Sequence, residues 1–145
     1  MRPILHHAID VAATPEACWQ VLADFASWPE WFPHLKHASG PPWVVGGKFE
    51  MVLAFGPVSV PVVCGIEELR QNELVRWVGR GWGITGDHAY RIEQKHPGFT
   101  RVTSHEELRG MGTMLITSAI KTRIDDAVHQ SMASFKRVVE ARRAA

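Results

Sequence analysis

The chain reads as an α+β fold, a curved antiparallel sheet of six or seven strands around one long C-terminal helix, with two short helices between the first strand and the second. Three features predict it. Runs of alternating hydrophobicity follow one another through the middle of the sequence, separated by Gly56-Pro57, Gln71-Asn72 and His96-Pro97-Gly98. After Gly110 and Gly112 the apolar period lengthens from two residues to three or four and stays there to Val139. Near the start, Thr14-Pro15-Glu16 carries the marks of a helix N-terminus. At 145 residues, 46% of them hydrophobic and 21% charged, the chain makes one globular domain over 1–145.

Taken in order, Leu5 to Ala12 alternates as a first strand. Thr14 can cap the helix that follows, Pro15 tolerates its first position, and Glu16 complements its dipole. Cys18, Val21, Leu22 and Phe25 recur at helical spacing, and Ser27-Trp28-Pro29-Glu30 reads as a second helix start. Gly40-Pro41-Pro42 breaks the chain, and Gly46-Gly47 turns it into Lys48 to Phe55, where Phe49, Met51, Leu53 and Phe55 share a face. Val58 to Leu69, Leu74 to Trp82, Asp87 to Lys95 and Thr100 to Leu108 complete an antiparallel meander. Pro61 cannot donate to a ladder, so its strand needs a bulge or an edge there. Ile116, Ile120, Ile124, Val128, Met132 and Phe135 form the stripe of the long helix. Its tail, Lys136, Arg137, Arg142 and Arg143, suits the dipole and reads as a solvated end.

Composition excludes several functions. Sixteen Lys plus Arg against fifteen Asp plus Glu leave a formal charge of +1, so nothing drives the chain toward nucleic acid. Cys18 and Cys64 read as buried thiols. No run approaches the ~18 apolar residues of a membrane span, and His6, His7 and Asp10 interrupt the N-terminal stretch that a signal peptide would need. A cytoplasmic protein without a transmembrane segment is expected, its oligomeric state open and a homodimer included. His34 and His37 have the spacing of two ligands on one helical turn, yet no third ligand accompanies them and His-Glu-x-x-His is missing, so no metal is expected. Gly79-Arg80-Gly81-Trp82-Gly83 lies between strands with no helix N-terminus to offer a phosphate. No cofactor is expected. Ser104-His105-Glu106 alternate across a strand, which gives neighbours no shared face for a hydrolase triad.

The string from Trp19 to Pro33 after Thr14-Pro15-Glu16 resembles the opening of START-like proteins, also called the helix-grip or SRPBCC superfamily. Gly46-Gly47 before a strand, Glu67-Glu68-Leu69 in mid-sheet, Trp77, Thr100-Arg-Val-Thr, Glu107 before Gly110 and the terminal helix agree with it. The likeness spans nearly the whole chain and is greatest to the bacterial polyketide cyclase/dehydrase family. It implies a small apolar or aromatic molecule held between sheet and helix.

A twisted sheet curls, and a helix across its concave side leaves a gap. Alternation turns Phe49, Met51, Leu53, Phe55, Val75, Trp77, His88, Tyr90 and Ile92 toward that gap, with Ser104 from the last strand. Ile120, Ile124 and Met132 face it from the helix, and Met114 adds an adaptable side chain. All are expected ligand-binding residues. Trp28, Trp31 and Phe32 are the expected gate. His88, Tyr90 and Glu106 are the candidate catalytic residues: a base with raised pKa and a phenol able to polarise a carbonyl. One bulge would exchange Glu106 for Glu107 and Ser104 for His105. Arg123 reads as a solvated residue or as a counter-charge to Glu106 or to an acidic ligand. The expected function is a carrier or sensor of a small hydrophobic or aromatic molecule. The alternatives are a cyclase or aromatase using His88 or Glu106 as base, and a protein-interaction module. The last is weakened by the outward Lys48, Glu50, Arg76, Arg80, Arg91 and Glu93.

Overall fold

A computed structural model describes residues 3–55 and 57–144. Strand β1 (Ile4–Val11) leads into helix α1 (Pro15–Ala23) and a 3₁₀ turn over Phe25–Glu30. Six strands follow: β2 (Leu35–Ser39), β3 (Lys48–Phe55), β4 (Val58–Arg70), β5 (Leu74–Gly81), β6 (Ile84–His96) and β7 (Phe99–Arg109). A second 3₁₀ turn, Met111–Leu115, then delivers the chain to helix α2 (Ser118–Ala144). The seven strands form one antiparallel sheet in the order β1-β7-β6-β5-β4-β3-β2. This is the helix-grip arrangement that the resemblance implies.

Local chemistry explains most boundaries. Thr14 caps α1 by accepting from the Ala17 amide at 3.2 Å. The expected second helix is a 3₁₀ turn: Pro29 lies inside it and removes a donor that an α-helix would need. The His34–His37 segment is not helical. His37 lies in β2, a five-residue strand whose register shifts between Leu35 and His37, which spoils the alternation that would have revealed it. Between β5 and β6 the chain reverses at Trp82 and Gly83, with φ of 52° and 72°. Two successive positive φ values make a tight hairpin whose twist matches its strands. The glycine-rich run is therefore a hairpin end. Pro61 pairs with Val52 of β3, while the β4–β5 ladder begins only at Val63, so proline occupies a stretch outside that ladder. The irregularity in β4 falls elsewhere, between Ile66 and Glu68.

The concave face of the sheet carries Leu5, Val11, Phe49, Cys64, Ile66, Val75, Trp77, Tyr90 and Val102, all buried. Helix α2 closes on it unevenly. Met132, Phe135 and Val139 in its C-terminal half are buried, and the Phe135 ring lies 5.1 Å from that of Trp31, edge to face. The same half is tied to β1 and the residue after it: Lys136 Nζ donates to the Asp10 carbonyl and Glu140 accepts from the Ala12 amide, both at 2.8 Å. The basic tail thus does more than meet solvent, because Lys136 reaches back across the helix to a backbone acceptor and Arg142 reaches Glu30 at 3.4 Å. The first turns of α2 lack this attachment, and Ile120 there is 41% exposed.

Phe135→Ala should cost about 3–5 kcal/mol, the usual range for a buried phenylalanine whose cavity cannot collapse, measured as the shift in urea-unfolding free energy. Burial pushes the Cys18 and Cys64 thiols up to about 12. At about pH 8 neither should react with dithionitrobenzoate in the native protein, and both should react fully in denaturant; labelling of the native fold would contradict their burial.

Candidate ligand cavity and its polar wall

Where the loosely attached half of α2 passes over the sheet, a cavity of about 90 Å³ remains. Trp28 and Phe32 line it from the segment after α1, Leu35, Met51 and Leu53 from β2 and β3, Trp77, His88, Tyr90 and Glu106 from the sheet centre, and Ile124, Ala127 and Val128 from α2. The wall is apolar apart from one corner. Trp28 is its fixed point, with ring centroids 5.4–6.5 Å from those of Trp77, Phe49, Trp43 and Tyr90, and its indole N–H donates to the Leu22 carbonyl at 2.8 Å. Burial of an indole is tolerated when that hydrogen finds an acceptor.

The polar corner is built by strand register. Trp77 pairs with His88 and His88 with Glu106; one step along, Val75 pairs with Tyr90 and Tyr90 with Ser104. Strands β6 and β7 run without a shift from Thr85–Arg109 to Gln94–Thr100, so Ser104 and Glu106 face inward while the side chain of His105 is exposed. His88 Nδ1 lies 3.1 Å from Glu106 Oε2, and His88 Nε2 lies 2.8 Å from Ser104 Oγ. The Tyr90 ring stacks on the imidazole at 4.6 Å, and the Trp77 ring is tilted against it at 4.8 Å. A glycine makes room for the carboxylate: a Cβ on Gly86 would stand 3.2 Å from Glu106 Oε2. Burial pushes the Tyr90 phenol well above its ordinary range, opposed in part by a hydrogen bond with Ser104.

Of the sequence-derived ligand-binding residues, Met51, Leu53, Trp77, His88, Tyr90 and Ile124 meet at the cavity. Phe49, Val75, Ile92 and Met132 are buried in the surrounding core instead. Ser104, 2% exposed, sits behind His88. Met114 and Ile120 stand away from the cavity: Met114 is 83% exposed, because the chain after Gly110 makes a short 3₁₀ turn outside the sheet rather than starting the helix at once. The Phe55 side chain lies outside the described residues. Trp28 and Phe32 line the cavity, whereas Trp31 is buried against Phe135 and cannot gate. Sequence reasoning missed Leu35, Ala127 and Val128. The last two follow Ile124 by three and four residues on one helical face, a signal that was present; Leu35 lies in the strand that alternation did not reveal. Arg123 is exposed. Among the described residues no group of three or more His, Cys, Asp or Glu is placed to hold a metal, and no helix is long and apolar enough to cross a membrane.

Beside the cavity a polar contact joins α2 to the sheet. His7 Nε2 of β1 lies 3.4 Å from Asp125 Oδ1, and Lys121 Nζ lies 2.8 Å from Asp125 Oδ2. The hydrogen bond from Lys121, aided by its charge and by His7, holds the Asp125 carboxyl below its ordinary range.

A seven-stranded sheet gripping a terminal helix, with an apolar cavity between them, defines a START-like domain. The family model described as polyketide cyclase/dehydrase and lipid transport matches residues 2–140, and the chain belongs to that family. Solved structures share the fold at low identity. The ZhuI aromatase/cyclase of a Streptomyces species (strain R1128) superposes with a TM-score of 0.73 at 12% identity, over 98% of this chain and 93% of that one. A START superfamily protein of Mycobacterium smegmatis gives 0.70 at 13%, over 96% and 95%. A protein of Thermus thermophilus gives 0.79 at 12%, over 96% and 98%. No curated protein matches the sequence.

A carboxyl whose folded pKa is depressed stabilises the fold above its unfolded pKa and loses that contribution as pH falls through the folded value. Asp125→Asn should therefore lower the melting temperature at neutral pH, and the gap to the unmodified protein should close below about pH 4. An unchanged gap across that range would show that the Asp125 charge is not what holds the helix.

Proposed function

We propose that the protein binds a small hydrophobic or aromatic molecule in the cavity between the sheet and α2. The observation that carries this reading is an aromatic and aliphatic enclosure broken by a single polar corner, His88 with Glu106. Apolar walls supply affinity without direction, and a few fixed polar atoms supply orientation. The cavity of about 90 Å³ is smaller than the ~150 Å³ of a dry cavity known to accept benzene. A ligand with one or two rings therefore requires the wall to yield. Phe32, Met51, Leu53 and Ile124 are only half-buried, and methionine and leucine repack at little cost.

A second reading, proton transfer next to a ligand carbonyl, draws on the Glu106 carboxylate at the cavity wall with the His88 N–H behind it. Such chemistry also needs a hydrogen-bond donor aimed at the developing oxyanion. Tyr90, the donor expected for that role, is 3% exposed and shares Ser104 as a partner, and both nitrogens of His88 are engaged, by Glu106 and by Ser104. Binding is the reading that the geometry supports better.

Native mass spectrometry of protein purified without detergent should show a retained hydrophobic adduct. Ala127→Trp, which fills the cavity from the helix side, should lower affinity for an aromatic probe such as 2-naphthol by at least about tenfold while the far-ultraviolet dichroism stays native. Undiminished binding by that variant would place the ligand elsewhere.

A further inference from the structure

The polar corner of the cavity has a fixed hydrogen-bonding sense. A carboxylate only accepts hydrogen bonds. His88 Nδ1 lies 3.1 Å from Glu106 Oε2, where a proton is attracted by the carboxylate and a lone pair is repelled, so the ring sets an N–H there. In the neutral ring Nε2 is then a bare acceptor, and the Ser104 hydroxyl at 2.8 Å donates to it. In the charged ring Nε2 would donate to the same serine oxygen. In either state both ring nitrogens are spent on protein partners, and His88 offers the cavity no polar hydrogen. The indole hydrogen of Trp28 is likewise spent, on the Leu22 carbonyl. Ser104 is also a partner of Tyr90, which is 3% exposed. The charged group left at the cavity wall is Glu106, about a quarter exposed, with the lone pairs that His88 does not occupy.

We infer that Glu106, held by His88 and by Ser104 behind it, makes the cavity select an apolar or aromatic ligand that carries a hydrogen-bond donor, such as a phenolic or enolic hydroxyl, over the same skeleton carrying a ketone or an ether. This rests on the ligand-binding reading above. A ketone or ether oxygen brought to this corner sets lone pairs against a carboxylate and removes water from it without replacement. A hydroxyl replaces that water. Glu106 is the group that touches the ligand; Ser104 is a positioning residue, acting through the imidazole.

Calorimetric titration with 2-naphthol and 2-methoxynaphthalene tests this, because the pair differs only by a methyl group in place of the hydroxyl hydrogen. The purely hydrophobic expectation favours the ether, which has the larger apolar surface. The intact protein should instead bind the naphthol at least about tenfold more tightly. Glu106→Gln, which can turn an amide N–H₂ toward the cavity, should lose the preference chiefly by weakening naphthol. Ser104→Ala should reduce the preference to about twofold or less, and Ser104→Thr, which keeps the hydroxyl, should restore it; a merely structural serine would weaken both probes alike. If neither compound binds the intact protein, the ligand-binding reading fails and this inference with it. If both bind equally, or if Glu106→Gln leaves the ratio intact, only the selectivity is overturned. Should Ser104→Ala fail to fold by dichroism, the Glu106→Gln ratio alone decides.

Discussion

The cavity depends on helix α2 being fastened at one end. Phe135 wedges against Trp31, Met132 and Val139 are buried, and Lys136 and Glu140 bond the backbone at Asp10 and Ala12. These contacts fix the C-terminal half of the helix to the closed side of the sheet. The sheet diverges from that line as it twists, so a straight helix held at one side cannot follow it to the other. The cavity lies beside Ile124, Ala127 and Val128, with Trp28, Trp77 and Met51 lining it from the other side without filling it. Had the N-terminal half been fastened as firmly, the same residues would have closed into solid core.

A carboxylate in such a place needs a partner, because removing it from water costs several kcal/mol unless hydrogen bonds replace the water. Glu106 has His88 3.1 Å away, and His88 is hydrogen-bonded to Ser104 in turn, so the demand is passed inward through a chain of side chains on two adjacent strands. Gly86 leaves room for this, since a Cβ there would stand 3.2 Å from Glu106 Oε2 and oblige the carboxylate to shift by a few tenths of an ångström. Polarity at the cavity is therefore a property of register: β6 and β7 must pair His88 with Glu106 and Tyr90 with Ser104, and the uninterrupted ladder between them does so.

Much of the fold is legible in the sequence because it rests on period and punctuation. Thr14, Gly46 and the turns of the meander are local signals, and the stripe from Ile124 to Val139 is a long one that no short-range accident produces. What was not legible is non-local. The strand from Leu35 to Ser39 has a shifted register that erases alternation, and it exists because β3 offers it an edge. The site was legible to the extent that parity decides it: Met51, Leu53, Trp77, His88, Tyr90 and Glu106 follow from alternation once the strands are placed. Depth is a different matter. Phe49 and Met51 share a face, yet one is core and the other wall, and only the position of α2 above them decides which. Met114 shows the same limit at the helix start, where an apolar residue near the cavity in sequence points into solvent because a 3₁₀ turn intervenes.

The wall is also divided in stiffness, and the division bears on how such a cavity recognises anything. Trp28, Trp77 and Tyr90 are buried, in ring contact with one another, and continuous with the sheet core. Moving one of them disturbs the rest, so they present an unchanging flat surface. Opposite them, Phe32, Met51, Leu53 and Ile124 are half-buried and border the less firmly held part of α2. A guest would displace that side and not the first. Because His88 sits on the strand beside Trp77 and Glu106 on the next one, the polar corner belongs to the stiff side. A ligand's polar atom would then meet a group on the stiff side, while its apolar bulk would meet side chains that adapt. Discrimination by hydrogen bonding and tolerance of shape can then coexist in one cavity, since different walls are responsible for each.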